Sequence, residues 1–288
     1  MKQVLDWQGL TRQGAHQGYR RWQARQQTSS QVLEMAREIR QRHPGMGCRD
    51  LYWVMADQVR YGRDWCEQLL FDHGFGLKRA SPSFTQSRPE AGANLIEGMP
   101  IEQANKVWQT DITYYWVNSR WFYLSFVEDV ATRQIRASQV ADTLEAEPQV
   151  QCMSKARASV TSAQSMEGLI VHTDPGAQYV STVFEGYLQK NDMRHSYSGH
   201  AWENAYCERI NRTIKRNYLD HRPIHTKEDL VREVKRAVKA YNSEKPHHGL
   251  PDHLSPDQFS KALENGKYPD YVEKVWSRLT DPKKLILN

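Results

Sequence analysis

Three acidic residues stand in settings where a carboxylate needs a task. In VWQTDITYYW, Asp111 interrupts a run otherwise suited to a central strand, where a buried charge is costly without a partner or a cation. In LIVHTDPGAQY an apolar strand ends at Asp174, before Pro175-Gly176 turns the chain into the next helix. Clefts outside the carboxyl ends of strands are where open α/β sheets place ligands, although an Asp before Pro-Gly can also simply cap its turn. The third segment, GHAWENAYCERINRTIKRNY, reads as a helix carrying Glu203 and Glu208. Five residues turn a helix by roughly 140°, so the two glutamates cannot share a face. Glu208 lies one turn before Arg212 and two before Lys215, a stripe that suits metal and phosphate side by side or an ordinary solvated ion pair. Glu208 is therefore the better ligand.

Asp111, Asp174 and Glu208 together offer hard oxygen donors on two strands and a helix, a set suited to Mg²⁺, with Mn²⁺ able to substitute. Two such ions fit in-line displacement at phosphorus, one activating the attacking oxygen and the other stabilising the leaving oxygen. Asp129, after the second strand, is a fourth acid, but Asp before Val-Ala-Thr suits a turn cap equally well and stays outside the triad.

The elements that must position these acids follow from periodicity. Strands are expected at 107–117 and 121–128, joined by a turn at Asn118-Ser119, and at 134–139. The second of them, WFYLSFVE, is apolar on both faces and reads as the central strand of a sheet covered on both sides. A helix at 147–159, a strand at 169–171, a helix holding Val183, Phe184, Tyr187 and Leu188, and a strand at 194–196 complete the order βββαβαβα. That order predicts an α/β ribonuclease H-like core over 105–262, a mixed five-stranded sheet with helices on both faces. Its last helix opens with a Thr226 to Asp229 capping pattern and buries Leu230, Val234, Val238 and Tyr241, with Tyr241 and Asn242 read as packing residues. Its exposed Arg232, Lys235, Arg236 and Lys239 suit a DNA backbone or plain solvation.

Upstream, residues 1–27 read as a basic arm in which Arg12, Arg20, Arg21 and Arg25 surround Tyr19 and Trp22, suited to DNA phosphates or to simple solvation. Residues 28–77 read as a small all-α, helix-turn-helix-like domain. Its first helix is capped by Thr28 and Gln31, with Val32, Met35, Ala36 and Ile39 on one face, and shorter helices follow near 51–59 and 65–71. His43, Cys48, Cys66 and His73 lack the usual zinc-ligand spacing, and the four cysteines read as free thiols. Residues 78–104 read as a linker, rich in Ser, Pro, Gly and Ala, and 263–288 as a tail. Lys78 and Arg79 at the linker's start, with Arg212, Lys215 and Arg216 on the Glu208 helix, are further candidates for DNA contact.

The formal charge of +5 and nine tryptophans favour a polyanionic partner, double-stranded DNA first. No apolar run is long enough to cross a bilayer and no signal-like segment opens the chain, which reads as cytoplasmic and nucleoid-associated.

The segments WQTDITYYW, VHTDPGAQYVS, WENAYCERINRTIK and YNSEKPHHGLPDHLSP, in this order, resemble second-frame proteins of the bacterial IS-three insertion-sequence transposases, which are similar to retroviral integrases. The intervals of 63 and 34 residues between the three acids fit that family's Asp-Asp-Glu arrangement, and RQRHPGMGCRDLYWVM resembles its helix-turn-helix segment. Glu203 in place of a common aspartate, Pro175 after the second acid and Lys245 in place of a common arginine depart from the pattern without removing a triad member. The resemblance implies Mg²⁺-dependent cleavage at terminal inverted repeats and strand transfer into target DNA, by an oligomer on DNA. It also implies a first-frame helix-turn-helix and leucine-zipper protein as a partner, because no such heptad run occurs here. A nuclease that cleaves without joining, and a DNA-binding regulator or domesticated transposase with a silent core, are the alternative readings.

Overall fold

The structure, a computed structural model, describes residues 11–77, 92–161, 164–199, 201–271 and 273–274. The chain divides into two compact units, Met1–Arg79 and Ala80–Asn288.

The first unit is built on α1 (Arg12–Arg42), α2 (Cys48–Met55) and α3 (Arg63–Asp72). The expected capping box at Thr28 does not form. Thr11 caps the helix instead, accepting from Gly14 N, and the hydroxyls of Thr28, Ser29 and Ser30 donate to the carbonyls of Ala24, Arg25 and Gln26 within it. Hydroxyl residues that suit a cap are absorbed mid-helix when they bond back one turn. The described part of the basic arm is thus the first half of α1. Tyr19 and Trp22 stack there at 5.8 Å and stay 55% and 56% exposed. Burial begins at Val32, and Ala36 and Ile39 pack with Met46, Leu51, Met55 and Leu70. The thiols bond to backbone carbonyls, Cys48 to Phe75 and Cys66 to Tyr61, and His73 Nδ1 faces Leu69 O at 2.9 Å.

The second unit holds a five-stranded sheet of β2 (Val107–Val117), β3 (Arg120–Asp129), β4 (Ile135–Ala141), β5 (Ile170–Thr173) and β6 (Arg194–Tyr197), in the order β4-β3-β2-β5-β6. β2, β3 and β4 are antiparallel, while β5 runs parallel to β2 and β6. The β2–β3 hairpin turns at Asn118 and Ser119, whose φ values of 43° and 68° are the left-handed pair a tight two-residue hairpin requires. β3 is an interior strand, flanked by β4 and β2, as its two-sided apolar run predicts, and β2 lies at the middle of the sheet. Both faces of β3 are covered along most of its length.

One face of the sheet packs Phe122, Leu124 and Phe126 against Ile210 and Ile214 of α6 (Ala205–Asn217) and Leu230, Val234 and Tyr241 of α7 (Lys227–Ser243). The other face packs Trp108 and Val127 against Cys152, Met153 and Ala156 of α4 (Glu147–Ala158) and Phe184 and Leu188 of α5 (Thr182–Lys190). Each fully buried side chain of this size contributes roughly 1.5–3 kcal/mol. A mixed five-stranded sheet between two helical layers is the ribonuclease H-like fold. The capping box of α7 forms between Thr226 and Asp229 as expected, and Asn242 pairs with both backbone groups of Ile135, tying α7 to the edge strand β4.

The expected linker and tail need correction. Ile96 and Ile101 are buried with Val107, Val130, Ala131 and Ile170, and β1 (Pro100–Ile101) pairs with β7 (Glu273–Lys274). Tyr268 and Tyr271 pack on Phe259 of α8 (Pro256–Glu264), and Tyr271 Oη donates to Ala131 O. Four apolar side chains, Leu95, Ile96, Met99 and Ile101, dock a stretch whose composition reads as a spacer. Lys78 and Arg79 lie outside the described residues.

Candidate active site

Alternation along β2 decides what reaches the site. Trp108, Thr110 and Ile112 point toward α4 and α5, with Thr110 Oγ1 3.4 Å from Tyr179 Oη. Gln109, Asp111 and Thr113 point toward α6. Gln109 Nε2 donates to Glu203 O, Asn211 Nδ2 to Asp111 Oδ2 at 2.9 Å, and Lys215 Nζ to Thr113 Oγ1 at 3.2 Å. β5 pairs with β2 only as far as Gln109 opposite His172, so Asp111 stands where the sheet opens beside the end of β5. A central strand tolerates a charge there because the neighbouring strand has stopped.

Asp174 follows directly from β5, and its Oδ1 accepts from Gly176 N at 3.3 Å. A side chain at Gly176 would place a Cβ 3.1 Å from Asp174 Oδ1, so it would press on the carboxylate that accepts this amide. Glu208 lies in the first turn of α6.

All three carboxyls are pushed above their ordinary range. Asp111 rises to about 7, through burial first and the negative charge of Asp174 second, with Glu208 adding to it; the Ile112 N–H and the Asn211 amide oppose the rise. Burial raises Asp174 against the Gly176 N–H, and raises Glu208 against the charge of Arg212. The acids thus lie within electrostatic reach of one another. Yet among the described residues no three His, Cys, Asp or Glu side chains close into a ligand set. The donors nevertheless fit a hard divalent cation: they are all carboxylate oxygens, and the repulsion borne by Asp111 is what positive charge between them would relieve.

Glu203 is not on the same helix as Glu208. It lies in a 3₁₀ turn, Ala201–Asn204, before α6, and its Oε2 accepts from Gly199 N at 2.6 Å. The helical-face argument against it therefore does not apply; a change from 3₁₀ to α-helical winding at Asn204 separates the two glutamates. Asp129 is a structural cap. It is buried and accepts from Asn105 N, Thr132 N and Thr132 Oγ1 at 2.5, 2.8 and 2.9 Å.

Among the basic candidates, Arg212 acts on Glu208 and Lys215 reaches Thr113, both beside the acids; Arg216 follows on the same helix. Arg20, Arg21 and Arg25 belong to the first unit, where the Arg25 guanidinium lies 5.7 Å from the centre of the Trp65 ring. The side chain of Arg12 lies outside the described residues. On α7, Arg232 pairs with Asp229 at 2.6 Å and Arg236 approaches Glu233 at 4.0 Å, so part of that basic face is paired within the helix.

Sequence reasoning missed Asn211. It sits three residues after Glu208, on the buried seam with Cys207, Ile210 and Ile214, and an asparagine on an apolar helix face was the available signal. It also missed the chain of Glu185, His195 and Thr173 behind Asp174.

The family described as "Integrase core domain" matches residues 101–201 and, in a second form, residues 190–256, which together span more than half of the chain and contain all three acids. The "Transposase for insertion sequence element IS904" of Lactococcus lactis is 31% identical over 54% of this chain and 62% of its own length. "Transposase InsF for insertion sequence IS3A" of Escherichia coli is 27% identical over 54% of each. The chain belongs to the IS-three family of integrase-core transposases. It spans somewhat less than two thirds of the length of these transposase relatives. The catalytic core domain of HTLV-2 integrase, solved in complex with magnesium, matches at a TM-score of 0.45 and 18% identity over 55% of this chain and 97% of that one. No helix among the described residues of this family member is long and apolar enough to cross a membrane.

Proposed function

We propose that the chain is a DNA transposase that cleaves the ends of an insertion sequence and transfers the freed strands to target DNA, with Asp111, Asp174 and Glu208 as its catalytic carboxylates. The observation that supports this reading is the convergence of the three acids on one site, where burial first and the charges of Asp174 and Glu208 after it raise Asp111 to about 7. An isolated structural aspartate would be hydrogen-bonded out, as Asp129 is.

The three carboxylates would hold Mg²⁺, or Mn²⁺ in its place, and two such ions when bound supply charge for the attacking and leaving oxygens of phosphodiester exchange. Asn211 fixes the rotamer of Asp111 from α6, and the Gly176 amide fixes that of Asp174. Lys215 and Arg212 place positive charge along the same helix, where a DNA phosphate would be drawn to the acids. A nucleophilic water or DNA 3′-hydroxyl would lose its proton in a pocket whose ionised carboxylates hold the metal. No covalent bond to the protein is required.

The first unit is assigned to DNA binding as a helix-turn-helix-like module, with Arg12, Arg20, Arg21 and Arg25 on phosphates and Lys78 and Arg79 following. The working species is an oligomer on DNA in the nucleoid, joined by a first-frame helix-turn-helix and leucine-zipper protein. The test supplies a pre-cleaved terminal-repeat duplex with a free 3′-hydroxyl, a target plasmid and Mg²⁺, with and without that partner. Joined product is expected in at least one arm. Nicking without joining in both would make the chain a nuclease, and neither product in either arm would make its core silent.

A further inference from the structure

Thr173 links the sheet to Asp174, and its side chain does more than end a strand. It is buried, with its hydroxyl 2.7 Å from the carbonyl oxygen of Asp174 and 3.0 Å from Nε2 of His195 on β6. A carbonyl oxygen can only accept, so the hydroxyl proton points to Asp174, and the hydroxyl oxygen is left to accept from His195 Nε2–H. On the other side of the ring, Nδ1 lies 2.7 Å from Oε1 of Glu185 on α5, and the same carboxylate oxygen accepts from Tyr197 Oη. One line of hydrogen bonds therefore runs from α5 through β6 to the backbone of the second acid.

The ring at the centre of this line is held in place. Tyr197 packs 4.1 Å from its centroid and Phe184 5.6 Å, and its Glu185 contact is an ion pair when the imidazole is charged. Both ring nitrogens face acceptors, so the line is complete when the His195–Glu185 pair holds one proton more than a neutral imidazole with a bare carboxylate. Burial pushes His195 down, and Glu185 offsets only part of that, so the imidazole sits below its ordinary range.

We propose that Glu185 and His195 are a positioning pair that, through the Thr173 hydroxyl, fixes the carbonyl of Asp174 and thereby the aim of its carboxylate at the metal. This rests on the reading of Asp174 as a metal ligand. The turn after β5 has few other restraints on this residue: Gly176 N reaches the carboxylate at 3.3 Å, and Pro175 N carries no hydrogen to donate. Without the Thr173 bond, the Asp174 peptide is free to rotate and the carboxylate swings with it. Partners of metal ligands at one remove typically set affinity or activity by about 10–100-fold.

The test compares Thr173→Val, which keeps the shape and loses the hydroxyl, with Thr173→Ser, which keeps the hydroxyl, in the full chain. Mn²⁺ binding is titrated calorimetrically without DNA, and the Mg²⁺ concentration for half-maximal strand joining is measured alongside the DNA dissociation constant. Thr173→Val is expected to weaken Mn²⁺ binding and raise the Mg²⁺ requirement about tenfold, with DNA affinity within twofold of wild type. Thr173→Ser is expected to recover both to within about threefold, which a purely structural role would not produce. His195→Gln, whose amide can still donate to Thr173, should lie between wild type and His195→Ala. Equal Mn²⁺ binding by wild type and Thr173→Val overturns the proposal, as does equal loss in Val and Ser. Asp174→Asn separates the two claims: if it too binds Mn²⁺ normally, the metal reading itself fails, and if it alone loses binding, only the relay fails.

Discussion

Replacing Asp111 by Asn should stabilise the metal-free protein at pH 8, because the carboxylate is held against its preference. Its pKa rises in the fold from 3.8 to about 7. Below pH 4 the group is protonated in both folded and unfolded chains and costs nothing. Between pH 4 and 7 the unfolded chain releases the proton and the folded one keeps it, so stability falls as pH rises, and above 7 the full penalty stands. At about 1.4 kcal/mol per pH unit this amounts to about 4 kcal/mol, which solvent reaching a partly exposed carboxyl reduces to about 2. Asn keeps one acceptor for the Ile112 N–H, and its new amide hydrogens meet Asn211, whose Oδ1 is buried without a partner and can turn to accept them. The assay is chemical denaturation in EDTA, following the second unit, at pH 8 and at pH 4.5. The difference between variant and wild type isolates Asp111, which matters because His172, pushed down to about 4 by burial, works the other way. As pH falls from 6.5 toward 4 the unfolded chain protonates that imidazole and the folded one does not, so stability is lost. Asp111→Asn is expected to lead by about 2 kcal/mol at pH 8, with the lead shrinking toward zero at pH 4.5, and to lose it when Mg²⁺ is added, since only wild type gains a ligand. A variant less stable than wild type at pH 8 in EDTA would refute the claim that the fold holds the Asp111 carboxylate against its preference.

Asn211→Ala should lower strand joining about 10–100-fold while leaving DNA affinity within twofold, measured by single-turnover kinetics and filter binding, because it frees the Asp111 rotamer. Asp129→Ala removes the acceptor for three donors in a buried turn and should cost about 2–4 kcal/mol in denaturant titration. His172→Asn should flatten the acid limb of the stability profile between pH 6.5 and 4, read from unfolding midpoints across that range. Removing Arg20, Arg21 or Arg25 should reduce the salt slope of DNA binding by about 1 each without changing sequence preference, and an unchanged slope would remove α1 from the DNA contact.

The acids that cluster were more legible than the side chains that hold them. Asp111 and Asp174 announced themselves because a carboxylate in an apolar strand, or at a strand's end, has few ordinary explanations. Glu208 is preferred over Glu203 by the stripe it shares with Arg212 and Lys215, but the helical-face argument fails, since a 3₁₀ turn precedes α6 and no local propensity marks that change of helix. The succession of strands from β2 to β6 and the interior position of β3 follow from period, turn residues and two-sided apolarity, whereas the spatial order β4-β3-β2-β5-β6 depends on pairing that no local window contains. The start of α1 was misplaced because Thr28 and its neighbours satisfy capping rules equally well when bonded back inside a helix. The docking of Ile96 and Ile101 depends on tertiary contact with Val107, Val130 and Ile170, which no window of sequence contains. Asn211, His195 and Glu185 escaped for the same reason, their roles being set by partners up to 100 residues away.

The central claim is that Asp111, Asp174 and Glu208 act as one metal-dependent strand-transfer site, and joining of a pre-cleaved element end by Asp174→Asn tests it most directly. The measurement is single-turnover joining in Mg²⁺ beside the DNA dissociation constant of the same preparation. The account predicts that the variant binds DNA within twofold of wild type and forms no joined product. Joining at the wild-type rate would contradict it.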